Sequence, residues 1–103
     1  MTKETAQIEV NFSDNVLFLK GHLTMGSVPC LSKKIASFSD RFAKEVIIDL
    51  AQTDGNDTAG LAWLVNMKAD LRKKGISLVL ENVPQSLRKL SRLSDADKIL
   101  SIS

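Results

Sequence analysis

The chain has 103 residues, of which 44% are hydrophobic, so it is long enough to fill one core without disulfides or a structural metal, and we expect a single domain over residues 1–103. Its formal net charge is +2 with the basic residues spread along the chain, which gives no case for nucleic acid as a partner. The one cysteine, Cys30, has no partner for a disulfide and no Cys/His cluster beside it, which favours a reducing, cytoplasmic setting.

The first ten residues are mostly polar, where a secretory signal needs an apolar segment. No stretch of the chain approaches the roughly 20 apolar residues of a membrane span. We therefore expect any contact with a membrane to be indirect. Two strands are predicted next, at Gln7–Phe12 and Asn15–Gly21. Ser13-Asp14 between them is suited to a tight hairpin connection, so the sheet should start antiparallel.

Helical periodicity follows this hairpin. It predicts a helix over Ser27–Ser39, with Ser27 as the N-cap and Pro29 tolerated in the first turn. The apolar residues that carry the periodicity are Val28, Leu31, Ile35 and Phe38.

A continuous apolar run at Glu45–Leu50 is typical of a central strand buried on both faces. A polar loop over residues 51–57 then leads into an amphipathic helix predicted over Thr58–Lys74, with Gly75 as its C-terminal stop. One face of this helix is traced by Leu61, Leu64, Val65, Lys68 and Leu71, and its four apolar members are the predicted core face.

The C-terminal part reads as a strand at Ile76–Val83 and a helix introduced by Pro84, with an additional short edge strand in residues 97–103. Strands that alternate with helices after a hairpin indicate an α/β fold. We expect a mixed sheet of four to five strands with three to four helices covering one or both of its faces.

The segment most informative about function is Asp57-Thr58-Ala59-Gly60-Leu61, where a polar loop opens a helix. Asp57 or Thr58 can cap the free amides of the first turn, and Gly60 allows another part of the chain to approach closely. Phosphorylation of the Thr58 hydroxyl would add about two negative charges at the edge of the domain, and would change any interface that covers it.

These residues resemble the signature of the STAS family, named for sulphate transporters and anti-sigma factor antagonists. The signature is a strand ending in hydrophobic-Asp/Asn-Leu, here Ile48-Asp49-Leu50, followed at matching spacing by Asp-(Ser/Thr)-x-Gly-Leu. The resemblance covers nearly the whole chain and implies the STAS fold. In anti-sigma factor antagonists the residue matching Thr58 is phosphorylated by a partner kinase. In the STAS subunit of Mla phospholipid-transport complexes, the matching threonine contacts the ABC ATPase.

Within the family, the chain looks closest to the Mla type. The segments that carry this similarity are Asp57–Ala62, Leu64-Val65, Lys73-Lys74-Gly75 and Val83-Pro84. The second strand departs from many STAS domains, because it ends Gly21-His22-Leu23-Thr24 where they have Gly-Glu-Leu-Asp. This departure puts contacts that depend on those two acids in doubt and weighs against the antagonist.

Eight residues are predicted to contact a protein partner, with Thr58 as the docking and possible phosphorylation site: Asp54, Asn56, Asp57, Thr58, Ala59, Gly60, Trp63 and Met67. Two simpler roles stand beside this hypothesis. Thr58 can serve only as a helix cap. Trp63 and Met67 can either form an exposed apolar patch suited to a partner or cover the edge of the sheet.

The leading hypothesis for function is a non-enzymatic accessory subunit that binds and stabilises or regulates the ATPase of an ABC-type phospholipid transporter. The alternative is an anti-sigma factor antagonist whose partner kinase phosphorylates Thr58. An enzyme is not favoured, because the sequence has no glycine-rich phosphate loop and no Ser-His-Asp set in a supporting motif. No catalytic, cofactor-binding or metal-binding residue is predicted, and His22 and Cys30 are assigned no role.

Overall fold

The computed structural model describes residues 8–101, so Gln7, at the start of the first predicted strand, and Ile102 and Ser103 lie outside the described part. This part contains four strands and four helices, which confirms the predicted α/β fold. Their bounds are β1 (Ile8–Ser13), β2 (Val16–Leu23), α1 (Val28–Ala36), a 3-10 turn (Ser39–Arg41), β3 (Glu45–Asn56), α2 (Thr58–Lys73), β4 (Ser77–Glu81), α3 (Gln85–Leu93) and α4 (Ala96–Leu100).

The N-terminal hairpin is present, with its turn one residue later than predicted. Ser13 is paired with Val16, and the two turn residues are Asp14 and Asn15, with φ of 50° and 66°. Positive φ at both central residues is the geometry of a type I′ turn, which Asp and Asn tolerate better than Ser. The Asn15 side chain also fastens the turn to the chain before β3, because its oxygen accepts a hydrogen bond of 3.1 Å from the Ala43 amide.

The sheet has the strand order β1-β2-β3-β4, in which β1 is antiparallel to β2 and β3 is parallel to both of its neighbours. β3 lies in the interior of the sheet, as predicted. The prediction that it ends at Leu50 is wrong, because the strand continues to Asn56. The polar residues 51–56 are held by pairing with the second half of β2, where Lys20 lies opposite Gln52 and Leu23 opposite Asn56.

The helices cover one face of the sheet. Val46, Ile48 and Leu50 of β3 are completely buried, whereas Ile47 and Asp49 between them are partly exposed. Alternate residues of a strand point to opposite faces, so only one face of β3 is fully covered. The prediction that this strand is buried on both faces is therefore wrong: its apolar run includes Ile47, which points to the open face.

The end of α1 and the C-terminal element differ from prediction. α1 stops at Ala36, three residues before the predicted end, and Ser39 begins the separate 3-10 turn. The predicted C-terminal edge strand is wrong, because Ala96–Leu100 forms helix α4. Ala96 and Leu100 are buried, four residues apart on one helical face, and this burial outweighs the strand preference of Ile99.

Candidate functional site

The candidate site lies where β2 and β3 end side by side. Because the two strands are parallel, their C-terminal ends meet at one edge of the sheet, with Leu23 opposite Asn56. The loop after β2 and the start of α2 extend from this edge. We call residues 22–27 and 54–60 together the β2–β3 edge.

Asp57 is the N-cap of α2 and joins the two halves of this edge. Its Oδ1 accepts a hydrogen bond of 2.9 Å from the Gly60 amide, and its Oδ2 accepts one of 3.0 Å from the Met25 amide. Partial burial raises the pKa of the Asp57 carboxyl, but hydrogen bonds from the backbone amides of Met25, Gly60 and Ala59 outweigh it, so the pKa lies below its ordinary value of 3.8. Asp57 is therefore a charged clamp between the loop and the helix.

Thr58 is the first residue of α2, and its side chain is exposed. Since the side chain of Asp57 accepts from the first turn, the simpler reading in which Thr58 is the cap is wrong. An exposed hydroxyl at a helix N-terminus is accessible to a partner, and the positive end of the helix dipole stabilises negative charge placed there.

Gly60 is the point at which α2 touches β2. A Cβ atom at this position would lie 2.2 Å from the Leu23 carbonyl oxygen and 2.8 Å from its carbonyl carbon. Both atoms belong to the backbone and cannot rotate away, so the prediction that Gly60 allows a close approach is confirmed. The contact sets the distance between the start of α2 and the end of β2, and thereby the position of Thr58.

Ser27 organises the loop after β2. It is completely buried, and its Oγ accepts a hydrogen bond of 3.0 Å from the Thr24 amide and donates one of 2.5 Å to the His22 carbonyl oxygen. It occupies the N-cap position of α1 as predicted, but its side chain does not cap that helix. The hydroxyl closes the loop instead, and the neighbouring Met25 is left 73% exposed beside the Asp57 clamp.

Asp54 projects from an irregularity in β3. Gly21 pairs with Thr53 and His22 pairs with Gly55, so Asp54 between them has no partner in the strand register. Its Oδ1 lies 2.9 Å from Nδ1 of His22, and both side chains are largely exposed. Asp54 therefore presents a carboxylate at the surface of the β2–β3 edge.

Asn56 connects the edge to α3. Its amide nitrogen donates a hydrogen bond of 3.0 Å to Oγ of Ser86, whereas its buried carbonyl oxygen has no hydrogen-bond partner within the described residues. Both residues precede or begin a helix, and the bond brings the start of α3 next to the start of α2.

Trp63 and Met67 do not form the predicted exposed patch. Met67 is only 8% exposed and belongs to the core, and Trp63 is half-buried, with its Nε1 donating a hydrogen bond of 3.0 Å to Ser32 of α1. The helix is rotated so that the Met67 side packs inward, whereas the predicted core residue Val65 is only half-buried. Met67 is thus removed from the set of surface contacts, whereas Trp63 lies beside α1 with part of its ring exposed.

The structure thus brings together six of the eight predicted residues, those from Asp54 to Gly60. Sequence reasoning missed the end of β2 and the loop after it, which add His22 and Met25 to the same edge. The available signal was the Thr24-Met25-Gly26 turn directly after a strand, because loops at the carboxyl ends of parallel strands gather at one edge.

Within residues 8–101, no group of three or more His, Cys, Asp or Glu side chains is placed to hold a metal ion. No helix in that range combines the length and the apolar character needed to cross a bilayer.

A family model described as "Mlab, STAS domain" matches residues 6–101. The fold is similar to that of a sulfate transporter family protein from Wolinella succinogenes, with a TM-score of 0.69 and 18% identity over 87% of this chain and 75% of the other. It is also similar to the cell fate determinant SpoIIAA of Bacillus in its phosphorylated form, with a TM-score of 0.64 and 15% identity over 84% of this chain and 82% of the other.

An anti-sigma factor antagonist from Mycobacterium paratuberculosis gives a TM-score of 0.62 and 22% identity over 88% of this chain and 79% of the other. A longer protein, Mglu, is matched over 75% of this chain and only 19% of its own length, with 19% identity and a TM-score of 0.58. At these identities the likenesses concern the fold.

Proposed function

The chain belongs to the STAS domain family, since residues 6–101 match its MlaB-labelled model, and we propose that it is a non-enzymatic accessory subunit that binds the ATPase of an ABC-type phospholipid transporter. In this proposal it stabilises or regulates the ATPase from the cytoplasmic side and reaches the membrane only through the complex. The observation that carries the proposal is an exposed Thr58 at the start of α2, on the β2–β3 edge, at the position that matches the partner-contact residue of the family signature.

The proposed contact surface consists of Thr58 and the groups around it. Asp54 and Asp57 supply carboxylates, and the exposed Met25 supplies an apolar side chain of the kind enriched at interfaces. Asn56, Ala59 and Gly60 hold the edge in shape, and Trp63 contributes with the part of its ring that remains exposed.

The second candidate is an anti-sigma factor antagonist that releases a partner kinase when Thr58 is phosphorylated. The observation that favours it is the exposure of Thr58, because a kinase must reach the hydroxyl. The end of β2 argues for the transporter instead, since Gly21-His22-Leu23-Thr24 lacks both acids of many STAS domains, and here His22 is engaged with Asp54.

The test is to purify the tagged protein from its own cells in mild detergent and to identify bound proteins by mass spectrometry. We expect an ABC ATPase and its permease with the wild type and with Thr58→Ser, which keeps the hydroxyl. Thr58→Glu should lose them, because it places a charge in the contact. Recovery of a kinase in place of the ATPase, with phosphate on Thr58, would sink the transporter proposal and support the antagonist.

A further inference from the structure

A second surface begins at Thr58 and runs along α2. A groove of about 680 Å³ lies between the outer face of α2 and helix α4. It shares Val65 and Ile99 with a neighbouring groove of about 300 Å³ that reaches Thr58. We call the two together the α2–α4 groove. Since α2 has 16 residues, the groove beside it extends for roughly 20 Å.

The far end of the α2–α4 groove is strongly basic. Four cationic side chains line it: Lys68, Arg72, Lys73 and Lys98. Within the described part of the chain, no carboxylate lines either groove and none of these four cations takes part in an ion pair. Four like charges held in one cleft repel each other, and a bound anion would relieve this repulsion.

The floor of the groove is apolar. It is formed by Ala62, Val65, Ala69 and Ile99, and Ile99 remains 53% exposed. The floor spans about 10 Å along α2, from Ala62 to Ala69, within the groove of roughly 20 Å, and it fits the apolar face of an amphipathic helix, which is the helix-in-groove mode of recognition.

We propose that the α2–α4 groove receives an acidic amphipathic helix of the same protein partner that contacts Thr58. Apolar residues of that helix cover Val65 and Ile99. Its Asp and Glu side chains pair with the four cations of the groove. This inference rests on the proposed function, because it takes the partner that contacts the β2–β3 edge to be the one that also occupies the α2–α4 groove. It adds the chemistry of the partner segment: acidic, helical and about 14 residues or longer, from the rise of 1.5 Å per residue.

Zero-length carbodiimide cross-linking of the purified complex tests the inference, because this reagent joins lysine amines to carboxylates in direct contact. We expect Lys68, Lys73 and Lys98 to be joined to Asp or Glu residues within one segment of the partner. Lys20 on β2 and Lys33 on α1 are exposed and remote from the groove, so they should remain unjoined. Cross-links at Lys20 and Lys33 without any in the groove would overturn the inference, as would the absence of any cross-linked partner.

Charge reversal provides the matched measurement. Lys73→Glu/Lys98→Glu changes two exposed cations of the groove, and Lys20→Glu/Lys33→Glu changes the net charge equally elsewhere. With both variants shown to be folded by circular dichroism, the first should weaken the complex at least tenfold and the second less than threefold. Equal effects, or none, would contradict the inference.

The two proposals can fail separately. An ATPase that is recovered without groove cross-links leaves the proposed function standing and overturns the inference. A kinase recovered with groove cross-links overturns the proposed function and leaves the inference about the groove standing. Partner-free protein that floats with phosphatidylglycerol vesicles through Lys73 and Lys98, with partner binding unaffected by their reversal, assigns the groove to lipid and also overturns the inference.

Discussion

At the scale of single residues, the β2–β3 edge depends on two positions that sequence chemistry already indicated. Asp57 ties the start of α2 to the loop after β2, and Gly60 lets the helix touch the backbone of Leu23. Capping and the small size of glycine are local properties, so the sequence predicts a cap at Asp57 or Thr58 and a close approach at Gly60, whereas the hydrogen bond from Met25 to Asp57 depends on how the strands pair. The burial of Met67 was not predictable in this way, because periodicity gives the presence of an apolar face but leaves its rotation uncertain by about one residue.

Gly60→Ala should destabilise the protein, because the new Cβ would lie 2.2 Å from the Leu23 carbonyl oxygen. We expect a loss of about 1–3 kcal/mol in the free energy of unfolding, as for overpacked core positions. Urea denaturation measures this loss. Gly26→Ala is the control, since its nearest heavy atom would be the Thr24 hydroxyl oxygen at 3.8 Å, and it should stay within about 0.5 kcal/mol of the wild type. Equal stability of the two variants would remove the argument for a close contact.

Asp57→Asn tests the charged clamp. The folded-state pKa of Asp57 is below the ordinary 3.8, so the carboxylate contributes stability that is present above pH 3.8 and is lost as the pH falls through the folded-state pKa. Asn can keep the cap with its one oxygen, but its NH2 group cannot accept from the Met25 amide, so we expect a cost of about 1–3 kcal/mol at neutral pH from the lost hydrogen bond to a charged group. Denaturation at several pH values should show this cost shrinking as the pH falls from about 5 towards about 2. A cost that does not change with pH would contradict the charged clamp; Asp54→Asn, at an exposed site, serves as the control.

At the scale of elements, the sequence predicts what is local and misses what depends on distant pairing. The hairpin, α2 and the start of α3 near Pro84 follow from turn chemistry and periodicity. The extension of β3 over residues 51–56 does not, because their composition is that of a loop and only pairing with β2 makes them a strand. The helix at Ala96–Leu100 was missed for a related reason, since its two buried residues are supported by contacts with other helices.

Two leucines of α3 test how this helix packs. Leu87 is completely buried, whereas Leu93 in the same helix is 85% exposed. Leu87→Ala should lower the free energy of unfolding by about 2–5 kcal/mol, because it leaves a cavity in the core. Leu93→Ala should change it by less than about 0.5 kcal/mol. Similar losses in urea denaturation for both variants would mean that α3 is placed differently.

At the scale of the whole molecule, the sheet carries its helices on one face and presents two unlike surfaces that meet at Thr58. The β2–β3 edge offers the carboxylates of Asp54 and Asp57, whereas the far end of the α2–α4 groove offers four cations. The nearly neutral total charge of +2 conceals this separation. The fold and the Asp54–Gly60 part of the first surface could be predicted from the sequence, but the groove could not, because it requires α4 to lie against α2.

The most direct measurement of the central claim is the dissociation constant between the purified protein and the purified ABC ATPase subunit, for the wild type, Thr58→Ser and Thr58→Glu. If Thr58 lies in the docking contact, Thr58→Ser should bind within threefold of the wild type, and Thr58→Glu should bind at least tenfold more weakly. A folded Thr58→Glu variant that binds the ATPase as tightly as the wild type would contradict the proposed contact at the β2–β3 edge.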